Sequence, residues 1–189
     1  MSDETVQDLS LFRNPPGFRG RSAVVVQLWW LVQSTLFAWS PQFMFGWRAW
    51  LLRRFGAKIG KGVKLRPGVR VTYPWKLTIG DHCWFGDGTL LYSLAEIDIG
   101  DNVAMADNIS IVTGSHEFRK PTFDIYALPL KIESESWFCS GCFVHQGLTI
   151  GRGSVIGARA VVTKSTEPYS INTGFPARKV GDRRVKPDA

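Results

Sequence analysis

The chain has 189 residues, enough for one domain of ordinary size with an appendage, and its 44% hydrophobic residues suffice for a true core. Lys and Arg outnumber Asp and Glu by 23 to 16, which favours anionic partners such as phosphorylated cofactors, acidic glycans or an anionic membrane face. The bases are scattered without a recognition helix or an aromatic-basic ladder, so nucleic acid is not an expected partner. Cys83, Cys139 and Cys142 are too few for a disulfide framework, and the expected compartment is the cytoplasm.

Residues 1–58 form an amino-terminal extension. No charged residue occurs between Ser22 and Trp47, and five of the eight tryptophans gather at Trp29, Trp30, Trp39, Trp47 and Trp50. Gln27, Gln33, Ser34, Ser40 and Gln42 interrupt the apolar run and Pro41 ends or kinks a helix, so the segment is a poor membrane span. At helical spacing Gln27, Ser34 and Thr35 make a narrow polar stripe, while Val24, Leu28, Leu31, Leu36 and Phe37 make a broad apolar face. Two places for that face stay open. It packs on the protein's own body or a neighbouring subunit, or it seats peripherally on the inner face of the cytoplasmic membrane, with Arg19, Arg21, Arg48, Arg53 and Arg54 at headgroup level.

Beyond Gly56 the sequence repeats. Ile59-Gly60, Ile79-Gly80 and Ile99-Gly100 recur at a spacing of twenty, and inside each unit apolar residues fall every six: Ile59, Leu65, Val71; Ile79, Phe85, Leu91; Ile99, Met105, Ile111. The frame resumes at Ile132, Phe138, Val144, Ile150, Ile156 and Val162. Six matches neither the helical period nor strand alternation. It fits a chain that turns a corner every six residues and points one aliphatic side chain per side into a stacked core, a β-solenoid over residues 59–167. The rhythm stops at Ile111-Val112-Thr113-Gly114-Ser115-His116; residues 117–131, with Phe118, Pro121, Phe123, Tyr126 and Pro129, read as a loop projecting from a corner. Residues 168–189 read as a basic carboxy-terminal tail.

Units such as Ile150-Gly151-Arg152-Gly153-Ser154-Val155 and Ile156-Gly157-Ala158-Arg159-Ala160-Val161 resemble the hexapeptide-repeat family. The resemblance implies a mainly β fold, a left-handed parallel β-helix with triangular coils, and a homotrimer. Thr113-Gly114-Ser115-His116, after Leu91-Tyr92-Ser93-Leu94-Ala95-Glu96-Ile97, is similar to the sugar O-acetyltransferases of galactoside, maltose and nodulation type. Together with Arg54-Phe55-Gly56-Ala57-Lys58-Ile59-Gly60 and Tyr73-Pro74-Trp75 the likeness is strongest to the acetyltransferases of colanic-acid and exopolysaccharide biosynthesis. It implies acetyl transfer from acetyl-CoA to a hydroxyl of a sugar or glycan acceptor, with His116 as catalytic base. Imidazole suits that task because it exchanges a proton near neutral pH.

The resemblance also places cofactor contacts on Ser140, Ala158, Thr163, Lys164 and Arg178, where Lys164 and Arg178 can neutralise CoA phosphates. Acceptor contacts fall on Asp87, Tyr92 and Ser93, although Ser93 stands where close relatives often carry asparagine. Phe175 occupies a place usually polar. A shared zinc as in γ-class carbonic anhydrases is not expected: His82, His116 and His145 stand three, five and one residues after their hexad aliphatics and point different ways, so no metal is required. Cys139 and Cys142 occupy small-residue hexad positions, which packing explains. The alternatives are acetylation of a small xenobiotic and an inactive solenoid scaffold.

Overall fold

The repeat dictates the architecture. In the computed structural model, which describes residues 5–184, strands of two or three residues line three faces of a prism. The first face stacks Lys58–Ile59, Leu77–Ile79, Ile97–Ile99, Leu130–Ile132 and Thr149–Ile150 in parallel. The second begins with Lys64–Leu65 and the third with Arg70–Val71, giving five complete coils. Every hexad aliphatic from Leu65 to Val162 is buried, and only Ile59, in the first coil, is partly exposed. The residue two places before each is often inward as well, as with Val63, Cys83, Val103 and Cys142.

Glycine opens the first corner because successive coils touch there. A Cβ on Gly80 would stand 2.8 Å from the carbonyl carbon of Gly100 and 2.9 Å from the amide nitrogen of Asp101, closer than side chains tolerate. The register records the rest of the chain's bookkeeping. Thr78 pairs with Asp98 twenty residues on, Asp98 with Lys131 thirty-three on, and Lys131 with Thr149 eighteen on. The excess always leaves at the third corner, first as the turn Pro74–Lys76, then as the insertion.

That insertion is more regular than a loop. Gly114–His116 pairs antiparallel with Ile125–Ala127, matching His116 to Ile125, so a two-stranded hairpin projects from the prism. At the carboxy-terminal end the solenoid continues past Glu167. Ser170–Gly174 joins the second face beside Val155–Ile156, and Ala177–Asp182 folds back on it antiparallel.

The amino-terminal extension closes the other end. Helix α1 (Ala23–Val32), capped by Ser22, runs into a wider turn at Gln33–Phe37, and α2 (Phe45–Arg54) follows. Trp29, Phe37, Ala49, Leu51 and Leu52 join the same core cluster as the coil aliphatics. An open stack of parallel strands leaves unpaired backbone groups at its edge, and each face is answered by a side chain from this extension. Arg53 donates to Ile59 O (3.0 Å) on the first face, and Arg48 to Leu65 O (2.6 Å) on the second. On the third, the Trp29 indole donates to Val71 O (2.9 Å) while Gln33 Oε1 accepts from Val71 N (2.6 Å). One side of α1 therefore packs on the protein's own body; Val24, Leu28 and Leu31, on the other, are exposed. Among the described residues no helix is long and apolar enough to cross a membrane.

Candidate active site

His116 is held by the hairpin rather than by the coil. Its Nδ1 lies 2.8 Å from the Phe123 carbonyl oxygen, and its ring stacks on the Phe123 ring with centroids 4.2 Å apart and planes inclined by 10°. A carbonyl oxygen only accepts, so Nδ1 carries the hydrogen and the neutral ring presents a lone pair at Nε2. Phe123 reaches this position through a left-handed backbone conformation (φ 49°) at the hairpin tip. A third ring comes from far away in sequence: Phe12 lies 5.7 Å from His116, and the Asp8 amide donates to Pro121 O (2.8 Å), so the amino-terminal segment is fastened to the hairpin. Only the histidine of this arrangement was legible as a functional residue; nothing in the spacing of Phe12 or Phe123 marks them.

The residues expected at the cofactor fall on two edges of the third face. Ser140 and Ala158 lie in consecutive turns of the second corner, where the Arg159 amide donates to Ser140 O (3.0 Å), and both are exposed. Thr163 and Lys164 lie in the third corner, on the edge that bears His116 two coils earlier. Strands stack about 4.8 Å apart, which puts roughly 10 Å between the two levels. Lys164 and Arg178 line one cavity of about 190 Å3 with Val162, Thr166, Asn172 and Lys179, so the structure brings two of the expected phosphate contacts together. Lys179 was not singled out from the sequence; it is an exposed cation at this cavity that also pairs with Glu167 (2.5 Å). Phe175, at the turn of the terminal hairpin, is exposed.

No family model matches the chain. A curated relative does: WcaF of Escherichia coli (strain K12), assigned provisionally as an acetyltransferase of colanic acid biosynthesis, is 50% identical over 178 residues, 94% of this chain and 98% of that protein. The chain belongs to the hexapeptide-repeat acetyltransferases. The galactoside O-acetyltransferase of the same E. coli strain is 32% identical over 134 residues, covering 69% of this chain and 66% of that relative. Solved structures agree on the fold. A galactoside acetyltransferase in complex with coenzyme A superposes with a TM-score of 0.79 at 24% identity, covering 90% of this chain and 84% of that one. A hexapeptide-repeat acetyltransferase from Vibrio cholerae O1 biovar eltor, complexed with acetyl coenzyme A, gives 0.78 at 24% identity over 88% and 92%. The solenoid is thus the left-handed parallel β-helix, a fold that in those two solved structures holds coenzyme A or acetyl coenzyme A.

The acceptor residues read from the sequence are dispersed over the chain. Tyr92 ends a third-face strand, pairs with Val112, and lines a cavity of about 330 Å3 with Trp30, Gln33, Arg70 and Leu90. Asp87 lies at the second corner, across the third face from His116, and its carboxylate accepts from Gly68 N (2.9 Å) and Arg66 Nε (2.9 Å). Ser93 cannot touch an acceptor directly, which corrects the expectation: it is fully buried, its hydroxyl accepting from Tyr73 N (2.9 Å) and donating to Tyr73 O (3.0 Å). It ties two coils together behind the third corner.

The cysteines are structural in character. Cys142 Sγ donates to Cys139 O (2.7 Å) and Cys83 Sγ to Gly100 O (3.1 Å); burial pushes both thiols up to about 11 from 9.0. A raised thiol keeps its proton in the folded state, so its stabilising effect is intact below pH 9 and is lost as the pH climbs from about 9 to about 11. In the folded acetyltransferase Cys83 and Cys142 are expected to resist iodoacetamide at neutral pH and to react on unfolding. Mass spectrometry after timed alkylation checks this. Among the described residues no group of three or more His, Cys, Asp or Glu side chains is placed to share a metal ion.

Proposed function

We propose that the enzyme transfers acetyl from acetyl-CoA to a hydroxyl of a sugar or glycan intermediate in exopolysaccharide biosynthesis, at the cytoplasmic face of the membrane, with His116 as general base. The observation that carries this reading is the Nδ1 contact with Phe123 O, which leaves Nε2 as the acceptor of a proton. Nε2 takes the hydroxyl proton as the oxygen attacks the thioester carbonyl; the tetrahedral oxyanion collapses, the carbon–sulfur bond breaks, and the imidazolium returns the proton to the departing CoA sulfur. Lys164 and Arg178 hold CoA phosphates, and the small Ser140 and Ala158 give the pantetheine arm room against the coil.

The cofactor set lies on opposite edges of the third face, with Asp87 on the edge away from His116. That division supports a trimeric arrangement, in which a neighbouring copy brings its second corner towards this chain's third corner and completes a site that one chain leaves divided. Acceptor contacts then come from Tyr92 and from Asp87 of an adjacent copy, with Ser93 acting through the coil it ties. Mass spectrometry of glycans from cells with and without the protein tests this. A shift of one acetyl group that appears with the wild type is expected; unchanged glycans, with turnover of small drug-like alcohols instead, overturn the glycan acceptor.

A further inference from the structure

We propose that the amino-terminal cap is a docking surface for an anionic lipid bilayer. Its exposed side is apolar without structural need. Helix α1 uses Val26 and Trp29 to cover the prism, yet Val24, Leu28 and Leu31 form a second apolar row at helical spacing on the outside, bordered by Gln27. In the connection to α2 Trp39 is 83% and Phe43 79% exposed. Exposed side chains of this size concentrated in one stretch of chain, residues 24–43, mark a place where something else excludes water. Bilayer interfaces favour tryptophan, whose ring is mostly apolar and whose N–H stays hydrated.

Charge identifies the occupant. From Leu9 to Gly80 the chain contains no Asp or Glu and twelve Lys or Arg, whereas from Asp81 to Ala189 thirteen acids exceed eleven bases. The positive charge of the whole protein is therefore confined to the cap and the first coil. Arg21 opens α1 and Arg53 and Arg54 close α2, all exposed. Among the described residues, only Lys61 and Arg66 of the twelve have a carboxylate partner. A second copy pressed cap to cap would bring two such regions together and be repelled, whereas anionic headgroups match the cations while acyl chains receive the apolar row. With no spanning helix among the described residues, the contact is peripheral. It does not depend on which hydroxyl is acetylated.

Flotation of the full-length protein with vesicles tests it. Binding is expected to phosphatidylcholine vesicles containing phosphatidylglycerol, weak or absent with phosphatidylcholine alone, and lowered by salt, which screens headgroup attraction. The double substitution Trp39→Ser, Phe43→Ser and the double substitution Arg21→Glu, Arg54→Glu should each weaken binding roughly tenfold or more. Acetyl-CoA binding by calorimetry should be unchanged in both, which shows that they fold and separates this proposal from the reading of the catalytic site. Absence of binding to either vesicle overturns it, as does binding that both substitutions leave intact. A fall in oligomeric state of the Trp39→Ser, Phe43→Ser protein also overturns it, because a second copy would then be the occupant.

Discussion

Replacing His116 with Ala is expected to slow acetyl transfer by about 10² to 10⁴ while leaving acetyl-CoA binding intact. In the proposed mechanism the imidazole contributes through Nε2 alone, since Nδ1 is committed to the Phe123 carbonyl. Without it, the acceptor hydroxyl must lose its proton to water during attack, and the CoA sulfur must leave without an acid to protonate it. The loss should appear in kcat, because the residues proposed to bind the cofactor lie elsewhere along the prism. Steady-state kinetics with the native acceptor and calorimetry with acetyl-CoA measure the two halves. Nitrogen NMR of the wild type should show the neutral His116 ring protonated at Nδ1. Unchanged turnover after the substitution would falsify the mechanism.

The largest stability effect is expected at Arg48. This side chain has no exposed surface and no carboxylate in contact; it donates to Leu65 O (2.6 Å), Ser40 Oγ (2.7 Å), Pro41 O (2.9 Å) and Gln42 O (2.6 Å). The Phe45 ring lies 5.3 Å from its guanidinium carbon. Burial draws its proton affinity below the ordinary arginine value, with the Asp87 carboxylate opposing that shift. Ala at this position strands the buried Leu65 carbonyl, leaves the part-buried Ser40, Pro41 and Gln42 oxygens without their donor, and removes the tie between the cap and the second face. A cost of about 3–5 kcal/mol is expected, read as a lower denaturant midpoint. Lys should recover only part of it, because an ammonium cannot reproduce the planar fork that reaches both the coil edge and the chain around Pro41. A midpoint unmoved by Arg48→Ala would show that the cap is held by its apolar contacts alone.

Much of the prism was legible because its cause is periodic. A residue buried once per side recurs every six positions, and no helix or simple hairpin imitates that spacing. Ser93 shows how a residue can be misread inside a correct frame. It stands two places after Leu91, as Tyr73 stands after Val71 and Thr113 after Ile111, and all three are buried. That shared phase was available in the sequence and pointed inward; the family likeness drew attention to residue type instead. The terminal segment was read as a tail because its strands depart from the hexad, yet Ser170–Gly174 finds the open edge of the second face.

The sequence by itself determined the solenoid, the identity of its core, the place where the coils are interrupted and the histidine at that place. These follow from local alternation and spacing, which each coil repeats. Only the tertiary structure decided how that histidine is held. The hydrogen bond that sets its tautomer comes from seven residues further on, its second aromatic neighbour from Phe12, and the closure of the prism's first edge from Trp29, Gln33, Arg48 and Arg53. None of these contacts recurs. A contact made once between distant parts of a chain leaves no period to read, and becomes visible only when folding has brought its two ends together.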